Sequence, residues 1–180
     1  MIIGLSGYAQ SGKDEVAKVL VEDYGYKRVA FADKIRELLL ETNPLIKDGF
    51  RVESVVSAYG WDQAKVLFPE IRSLLQKLGV GARNTFSELF WVHQALHQVH
   101  FEENWVITDV RFTNEADSIK KFDNAQLWRI KRPGVEAVNP HISEHDMDGY
   151  QVDKILTNGG TLDELRELVH KRMEFTLNAD

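Results

Sequence analysis

A short apolar strand, a glycine-rich turn and a helix follow one another near the start of the chain, and this succession constrains the fold more than any other feature. The stretch is "IIGLSGYAQSGKDEVAKVL", residues 2–20, in which four residues separate Gly7 from Gly12 and Lys13 follows. This spacing is typical of a loop whose backbone N–H groups surround a phosphate at a helix N-terminus. Lys13 adds positive charge for the outer phosphates. An ordinary glycine turn is the weaker interpretation, because the motif lies at the first strand–helix junction.

Asp14 stands where this motif normally has Ser or Thr, whose hydroxyl binds magnesium. A carboxylate there can still serve a hard cation directly or through water. It also complements the positive end of the helix dipole. The sequence therefore predicts a metal-binding role for Asp14 that is compatible with its favourable charge in the first turn of the helix.

Strands and helices alternate along the chain, which indicates a parallel sheet covered on both faces. Five segments are predicted as strands: residues 1–5, 26–33, 105–110, 125–130 and 153–158. Asp33 is predicted to cap the helix "KIRELLLE". The helical block between the second and third strands is too long for a simple crossover, so it is interpreted as an inserted substrate-binding region.

Composition excludes several classes of protein. A chain of 180 residues is expected to form one domain. Its net charge of −6 argues against nonspecific binding of nucleic acid, and the absence of cysteine excludes disulfides and thiolate chemistry. With no recognisable signal peptide and no apolar run of membrane-spanning length, we expect no membrane partner and a cytoplasmic location.

Carboxylates and arginines mark two further groups of candidate residues. Asp109 ends the strand in "WVITDVR", where parallel sheets place ligands, and Arg111 follows two residues later. Asp33 with Arg36, and Arg72 with Gln76, have helical spacing that places each pair on one face. Each group also has a structural interpretation. Asp109 is then the start of a loop, Asp33 a helix cap beside a solvated Arg36, and Arg72 with Gln76 part of a solvated helix face. Arg83 by itself does not distinguish a binding role from a solvated position.

The motifs taken together resemble the phage-type deoxynucleoside monophosphate kinases. The resemblance extends over almost the whole chain, through "GLSGYAQSGKDEVA", "RVAFADKIRE", "YGWDQAK", "IRSLLQKLG", "FWV", "TDVRFTNEA", "RPGV", "HISE" and "TNGGTLDEL". That family commonly has Gly-Lys-Asp in its phosphate loop, so Asp14 narrows the assignment. It often has Thr at the next position, where this chain has Glu15.

The resemblance implies a P-loop kinase fold: a three-layer α/β/α domain with a five-stranded parallel sheet. It implies a helical monophosphate-binding insertion at about 44–101 and a lid-like loop at about 131–150, within one domain of 1–180. It also implies transfer of the ATP γ-phosphoryl group to a deoxynucleoside monophosphate, with Mg²⁺, in the host cytoplasm if the gene is carried by a phage.

The resemblance also assigns roles to residues. The implied catalytic residues are Lys13, Asp14, Asp109, Arg111 and Arg132, with Asp14 and Asp109 as the metal ligands. The implied ATP-binding residues are Gly7, Gln10, Ser11, Gly12, Lys13, Asp14, Asn158 and Gly159. The implied substrate-binding residues are Asp33, Arg36, Arg72, Gln76, Arg83 and Glu144.

Two other interpretations remain open at this point. One is another small-molecule kinase, of the dephospho-coenzyme A or phosphomevalonate kinase type, which the Arg72 and Gln76 block disfavours. The other is a nucleotide-binding regulatory module without turnover, which Glu15 favours and the many arginines disfavour. Apolar helical faces such as "FWVHQAL" also leave a homodimer open.

Overall fold

The computed structural model describes residues 1–100, 102–138 and 140–177. It divides into two compact units. The core unit is formed by Met1–Ala30 and by the chain from Val99 onward, and the helical unit by Phe31–Gln98. The end of the predicted insertion at residue 101, and residue 139 within the predicted lid, lie outside the described residues.

A five-stranded parallel sheet forms the centre of the core unit. Its strands are β1 (Ile2–Ser6), β2 (Lys27–Val29), β3 (Trp105–Ile107), β4 (Ala125–Lys131) and β5 (Lys154–Thr157). The spatial order is β2-β3-β1-β4-β5, so β1 is central and pairs with β3 on one side and β4 on the other. All five residues of β1 are buried, as expected for a strand covered on both faces.

Helices cover both faces of this sheet. The core unit contains α1 (Lys13–Tyr24), α6 (Thr113–Ile119), α7 (Ile142–His145) and α8 (Leu162–Leu177). Side chains of α1 and α8 pack with Ile3, Leu5 and Trp128 in the main core. On the opposite face, a Cβ built on Gly4 would meet Leu127 at 2.7 Å and Ile119 of α6 at 3.0 Å. The predicted three-layer α/β/α fold is thus confirmed.

The helical unit consists of α2 (Phe31–Thr42), α3 (Val52–Leu67), α4 (Pro69–Thr85) and α5 (Phe90–Leu96), with a single 3-10 turn at Lys47–Gly49. Its own core includes Leu39, Val52 and Ile71. The backbone of α3 is interrupted at Gly60, where φ is +70°. The Trp91 indole N–H donates to the Gly79 carbonyl oxygen at 2.8 Å and ties α5 to α4.

Two local expectations were wrong. Asp33 does not cap α2, because the helix begins at Phe31 and Asp33 lies in its first turn. Phe31 is 3% exposed, and its burial directly after β2 favours this early start. The helical block predicted between the second and third strands is not helical to its end, because from residue 86 to residue 100 only Phe90–Leu96 is helical.

In the described ranges, no helix combines the length and the apolar character that crossing a bilayer requires.

Candidate active site

The loop between β1 and α1 forms a cradle that requires glycine at two positions. Gly7 has φ +136°, and a Cβ there would lie 2.3 Å from the Ile130 carbonyl oxygen. Gly12 has φ +107°, and its Cβ would lie 2.5 Å from Asn158 Nδ2. These contacts involve backbone and a buried side chain, so a larger residue would displace the loop. The predicted glycines therefore have a geometric reason to be present.

Ser11 supplies an unsatisfied polar group inside this cradle. It is 1% exposed, and its Oγ has no hydrogen-bond partner among the described residues. Buried hydroxyls are normally paired, so this unpaired one marks a hydrogen-bonding capacity that no protein group satisfies. The glycine cradle beside it lies at a helix N-terminus, where backbone N–H groups favour an anion. The loop therefore fits the phosphates of a nucleotide.

Lys13 folds back over the loop. Its Nζ donates to the carbonyl oxygens of Gly7 at 2.8 Å and Tyr8 at 2.7 Å. Burial, with a contribution from the positive charge of Arg111, lowers the pKa of Lys13 from its ordinary 10.5 to about 8. The ammonium is thus poorly solvated and gains from any anion that enters the cradle.

Three carboxylates and one guanidinium influence that ammonium. The charges of Asp14, Asp109 and Glu144 raise the pKa of Lys13, against the larger lowering by burial and Arg111. Asp109 follows the carboxyl end of β3, and Asp14 lies in the first turn of α1. The structure therefore brings these predicted residues of the core unit into one electrostatic neighbourhood.

Arg111 connects the end of β3 to α7. Its Nη1 donates to Glu144 Oε1 at 2.8 Å, and the Glu144 side chain is only 3% exposed. The backbone N–H of Arg111 also donates to Glu115 Oε2 at 2.8 Å, at the start of α6. Arg111 is thus oriented by two carboxylates from different elements.

A cavity of about 420 Å³ opens beside the phosphate loop. It is lined by residues of the loop, of the ends of β3 and β4, and of the α7 region. Arg111, Arg132 and Glu144 are among the predicted site residues on its wall. Arg132 comes directly after β4 and is exposed, so its charge is available to an anionic ligand.

Asn158 and Gly159 follow β5, where the sequence places ATP-binding residues. The Asn158 side chain is buried and donates to the Ser11 carbonyl oxygen at 2.9 Å. Gly159 is exposed next to it. Asn158 therefore supports the phosphate loop from behind.

The remaining predicted residues lie in the helical unit. Arg36 Nη1 donates to Asp33 Oδ1 at 3.3 Å, and its guanidinium lies 5.7 Å from the centre of the Trp61 ring. A hydrogen bond from Lys65 lowers the pKa of Asp62 most, and the charges of Arg36 and Arg72 lower it further. Arg36 and Arg72, from α2 and α4, are thus near the same carboxylate.

Gln76 lies one turn after Arg72, and Arg83 belongs to the last turn of α4.

Several residues around the cradle escaped the sequence analysis. Tyr8 Oη donates to Asp148 Oδ1 at 2.9 Å, and this bond raises the pKa of Tyr8. Arg129 donates to the carbonyl oxygens of Met147, Asp148 and Tyr150. An arginine inside the apolar strand "AQLWRI" was a signal available in the sequence, since such a charge needs buried partners.

The fold and the phosphate loop together define the class of the protein, which is that of the P-loop kinases. The family model for deoxynucleotide monophosphate kinase matches residues 63–169, more than half of the chain. The chain therefore belongs to the deoxynucleotide monophosphate kinase family, as the sequence motifs predicted.

Two relatives agree with this assignment. The chain is 27% identical over 185 residues to a protein of Acanthamoeba polyphaga mimivirus provisionally named a deoxynucleotide monophosphate kinase, and 91% of each chain is covered. It is 30% identical over 107 residues to the deoxynucleotide monophosphate kinase of Escherichia phage RB69, covering 56% of this chain and 43% of that one.

Among solved structures, a shikimate kinase from Aquifex aeolicus matches with a TM-score of 0.50, 11% sequence identity and full coverage of both chains. At that identity the likeness shows the fold alone.

Proposed function

We propose that this chain transfers the γ-phosphoryl group of ATP to the 5′-phosphate of a deoxynucleoside monophosphate, giving ADP and a deoxynucleoside diphosphate. The observation that carries the proposal is Lys13, a partly buried lysine with a pKa of about 8, held over a glycine cradle that contains an unpaired hydroxyl. Family membership supplies the class of acceptor.

The chemistry requires alignment and charge compensation more than covalent help from the protein. An oxygen of the acceptor phosphate forms a bond to the γ-phosphorus as the bond from that phosphorus to the bridging oxygen of ADP breaks. The acceptor oxygen is already anionic near neutral pH, so no strong general base is needed. Arginines and a lysine are therefore the expected catalytic groups.

Residues of the core unit hold the donor in this proposal. Backbone N–H groups from Gly7 to Asp14 bind the phosphates of ATP, among them those of Gln10, Ser11 and Gly12. Lys13, Arg111 and Arg132 compensate the charge on the transferring group. Asn158 supports the loop, and Gly159 leaves space next to the nucleotide.

Magnesium fits the carboxylates that the site contains. Asp14 and Asp109 both act on Lys13 electrostatically, so both lie near the place that the phosphates would occupy. Mg²⁺ is commonly held by one or two carboxylates together with substrate phosphates, and these two aspartates are the residues that would hold it. When bound, it would neutralise phosphate charge.

We assign acceptor binding to the helical unit, which begins at Phe31 and so includes residues that precede the predicted insertion at about 44–101. Arg36 and Arg72 bind the monophosphate, where guanidinium groups offer paired N–H donors to phosphate oxygens. Asp33, Gln76 and Arg83 complete this set. Glu144, from the predicted lid at 131–150, is assigned to the substrate through the Arg111 guanidinium that it orients.

The test is ADP formation from Mg-ATP with each of the four deoxynucleoside monophosphates in turn. AMP, dephospho-coenzyme A and phosphomevalonate serve as comparison acceptors. We expect turnover that depends on one or more deoxynucleotides, and the same assay reveals which bases are accepted. Turnover only with a non-nucleotide acceptor would overturn the substrate, and ATP binding without any transfer would overturn the activity.

We also infer a cytoplasmic protein whose partners are small nucleotides and not nucleic acids, in line with its net charge of −6. Retention of labelled DNA or RNA at physiological salt would contradict this inference. A homodimer is tested by measuring the molar mass in solution.

A further inference from the structure

The N-terminal turn of α1 presents an electrostatic conflict. Its backbone N–H groups form the end of the cradle that receives phosphates, yet the turn carries both Asp14 and Glu15. In the proposed mechanism Asp14 is a ligand of the magnesium ion. Glu15 is assigned no ligand, and its negative charge at this position repels a polyphosphate.

Glu15 is paired with an arginine from the far end of the chain. Arg166 Nε donates to Glu15 Oε1 at 2.5 Å, although the two residues are 151 positions apart in sequence. The Glu15 side chain is 17% exposed and that of Arg166 is 43% exposed. The hydrogen bond and the charge of Glu15 raise the pKa of Arg166, so this guanidinium is permanently charged.

The position of Arg166 is set by packing against the phosphate loop itself. The preceding residue, Leu165, would lie 3.1 Å from a Cβ built on Gly12. Leu165 and Val169 are buried in the core with Val16 of α1. Helix α8 thus delivers its arginine to the first turn of α1 through close contacts at the cradle.

We propose that Arg166 is a positioning residue for the donor nucleotide, which neutralises Glu15 so that the first turn of α1 can accept polyphosphate. The proposal rests on the function proposed above. Because the Arg166 side of this ion pair is solvent-accessible, the pair contributes little to folding stability, and its main consequence is expected in anion binding. It also explains how the chain retains a phosphate loop with Glu15 at the position where the family often has Thr.

The test is the dissociation constant of ATP, measured by titration calorimetry without an acceptor. Arg166→Gln leaves Glu15 uncompensated and should weaken ATP binding about fivefold, the order expected for one uncompensated charge near the surface. Glu15→Gln leaves the Arg166 charge without its carboxylate partner and should tighten ATP binding or leave it unchanged. The dissociation constant of the double variant should return to within about twofold of the wild-type value. Raising the salt to about 0.5 M should diminish the effect of Arg166→Gln, because added salt shortens the Debye length and screens the charge of Glu15.

Arg172→Gln is the matched control, because it removes a positive charge from the same helix about two turns further on. We expect it to leave the dissociation constant unchanged. Thermal unfolding of every variant checks that the fold is retained. If the ion pair served only to hold the structure together, both single variants would lose ATP affinity, and the loss would depend little on salt. That result would overturn the proposal. An unchanged affinity in Arg166→Gln would overturn it as well.

This binding experiment separates the two proposals. If the wild type phosphorylates no deoxynucleotide but the variants shift ATP affinity as expected, the proposed function fails and the role of Arg166 stands. If turnover is found and the variants bind ATP like the wild type, the role of Arg166 fails alone.

Discussion

The core unit and the helical unit hold their candidate residues in different ways. In the core unit, two contacts of candidate residues join positions far apart in sequence, namely Arg111–Glu144 and Asn158–Ser11. In the helical unit, the ion pairs Asp33–Arg36 and Asp62–Lys65 each span a single helical turn. Arg111 and Asn158 are thus oriented by tertiary structure, whereas Asp33 and Arg36 are paired within one helix.

This difference indicates a division of tasks. Charge compensation during phosphoryl transfer requires groups held in place before the reaction, because reorganisation at that moment raises the barrier. Binding an acceptor requires only that its anionic phosphate be attracted and retained. We therefore expect changes in the core unit to lower kcat and changes in the helical unit to raise the KM of the acceptor.

The largest effect is expected from Lys13→Ala in the core unit. Loss of the Lys13 ammonium should reduce kcat by about 10³-fold or more, because charge on the transferring group is then uncompensated. An enzyme-coupled assay of ADP formation measures this change in kcat. Lys18→Ala, a half-exposed lysine on the same helix, is the control and should retain full activity. Near-wild-type turnover of Lys13→Ala would remove the phosphate loop from the mechanism.

A smaller and more selective effect is expected from Arg72→Ala in the helical unit. Removing one charged hydrogen-bond donor to the acceptor phosphate should raise the KM of the deoxynucleotide about thirtyfold, the equivalent of about 2 kcal/mol. The KM of ATP should not change. Exposed Lys77 on the same helix provides the control variant, Lys77→Ala. An equal rise in both KM values would break the proposed division between the units.

The pH dependence of ATP binding sharpens the comparison. Lys13 has a pKa of about 8 in the nucleotide-free protein, and bound phosphates raise it by stabilising the ammonium. Below pH 8 the ammonium is already present, so Lys13 adds no pH dependence. Above that pH, binding must take up a proton, and at pH 9 the affinity should be about tenfold weaker.

Calorimetry in buffers of different ionisation enthalpy measures that proton uptake directly. The pH dependence should disappear in Lys13→Ala. A flat affinity between pH 7 and pH 9.5 would contradict the lowered pKa.

The smallest effect is expected from Tyr8→Phe. This change removes only the hydrogen bond to Asp148 Oδ1, and the free energy of unfolding should fall by about 1 kcal/mol or less. Urea unfolding followed by tryptophan fluorescence checks it. Tyr59→Phe, at an exposed tyrosine of α3, offers a control that should be neutral. A large loss of kcat in Tyr8→Phe would indicate that the contact does more than hold the loop.

The amino-acid sequence by itself determined the phosphate loop, the five parallel strands and the family. These features depend on local patterns, namely glycine spacing, runs of apolar residues and residues that follow strand ends, and such patterns are visible without a structure. The expectations from sequence that proved wrong were local as well, and they concerned where helices begin and end. The start of α2 at Phe31 and the short α5 depend on which side chains are buried, and burial is decided by the rest of the fold.

Only the tertiary structure decided how the site residues are held. The sequence contains Glu15 and Arg166, but nothing in their spacing indicates a contact across 151 positions. The sequence also offers Asn158 to the nucleotide, and only the structure shows that its side-chain amide donates to the Ser11 carbonyl oxygen. The physical reason is that polar side chains have many partners of suitable chemistry. The packing of α8 and β5 against the phosphate loop determines which partner lies within hydrogen-bond distance.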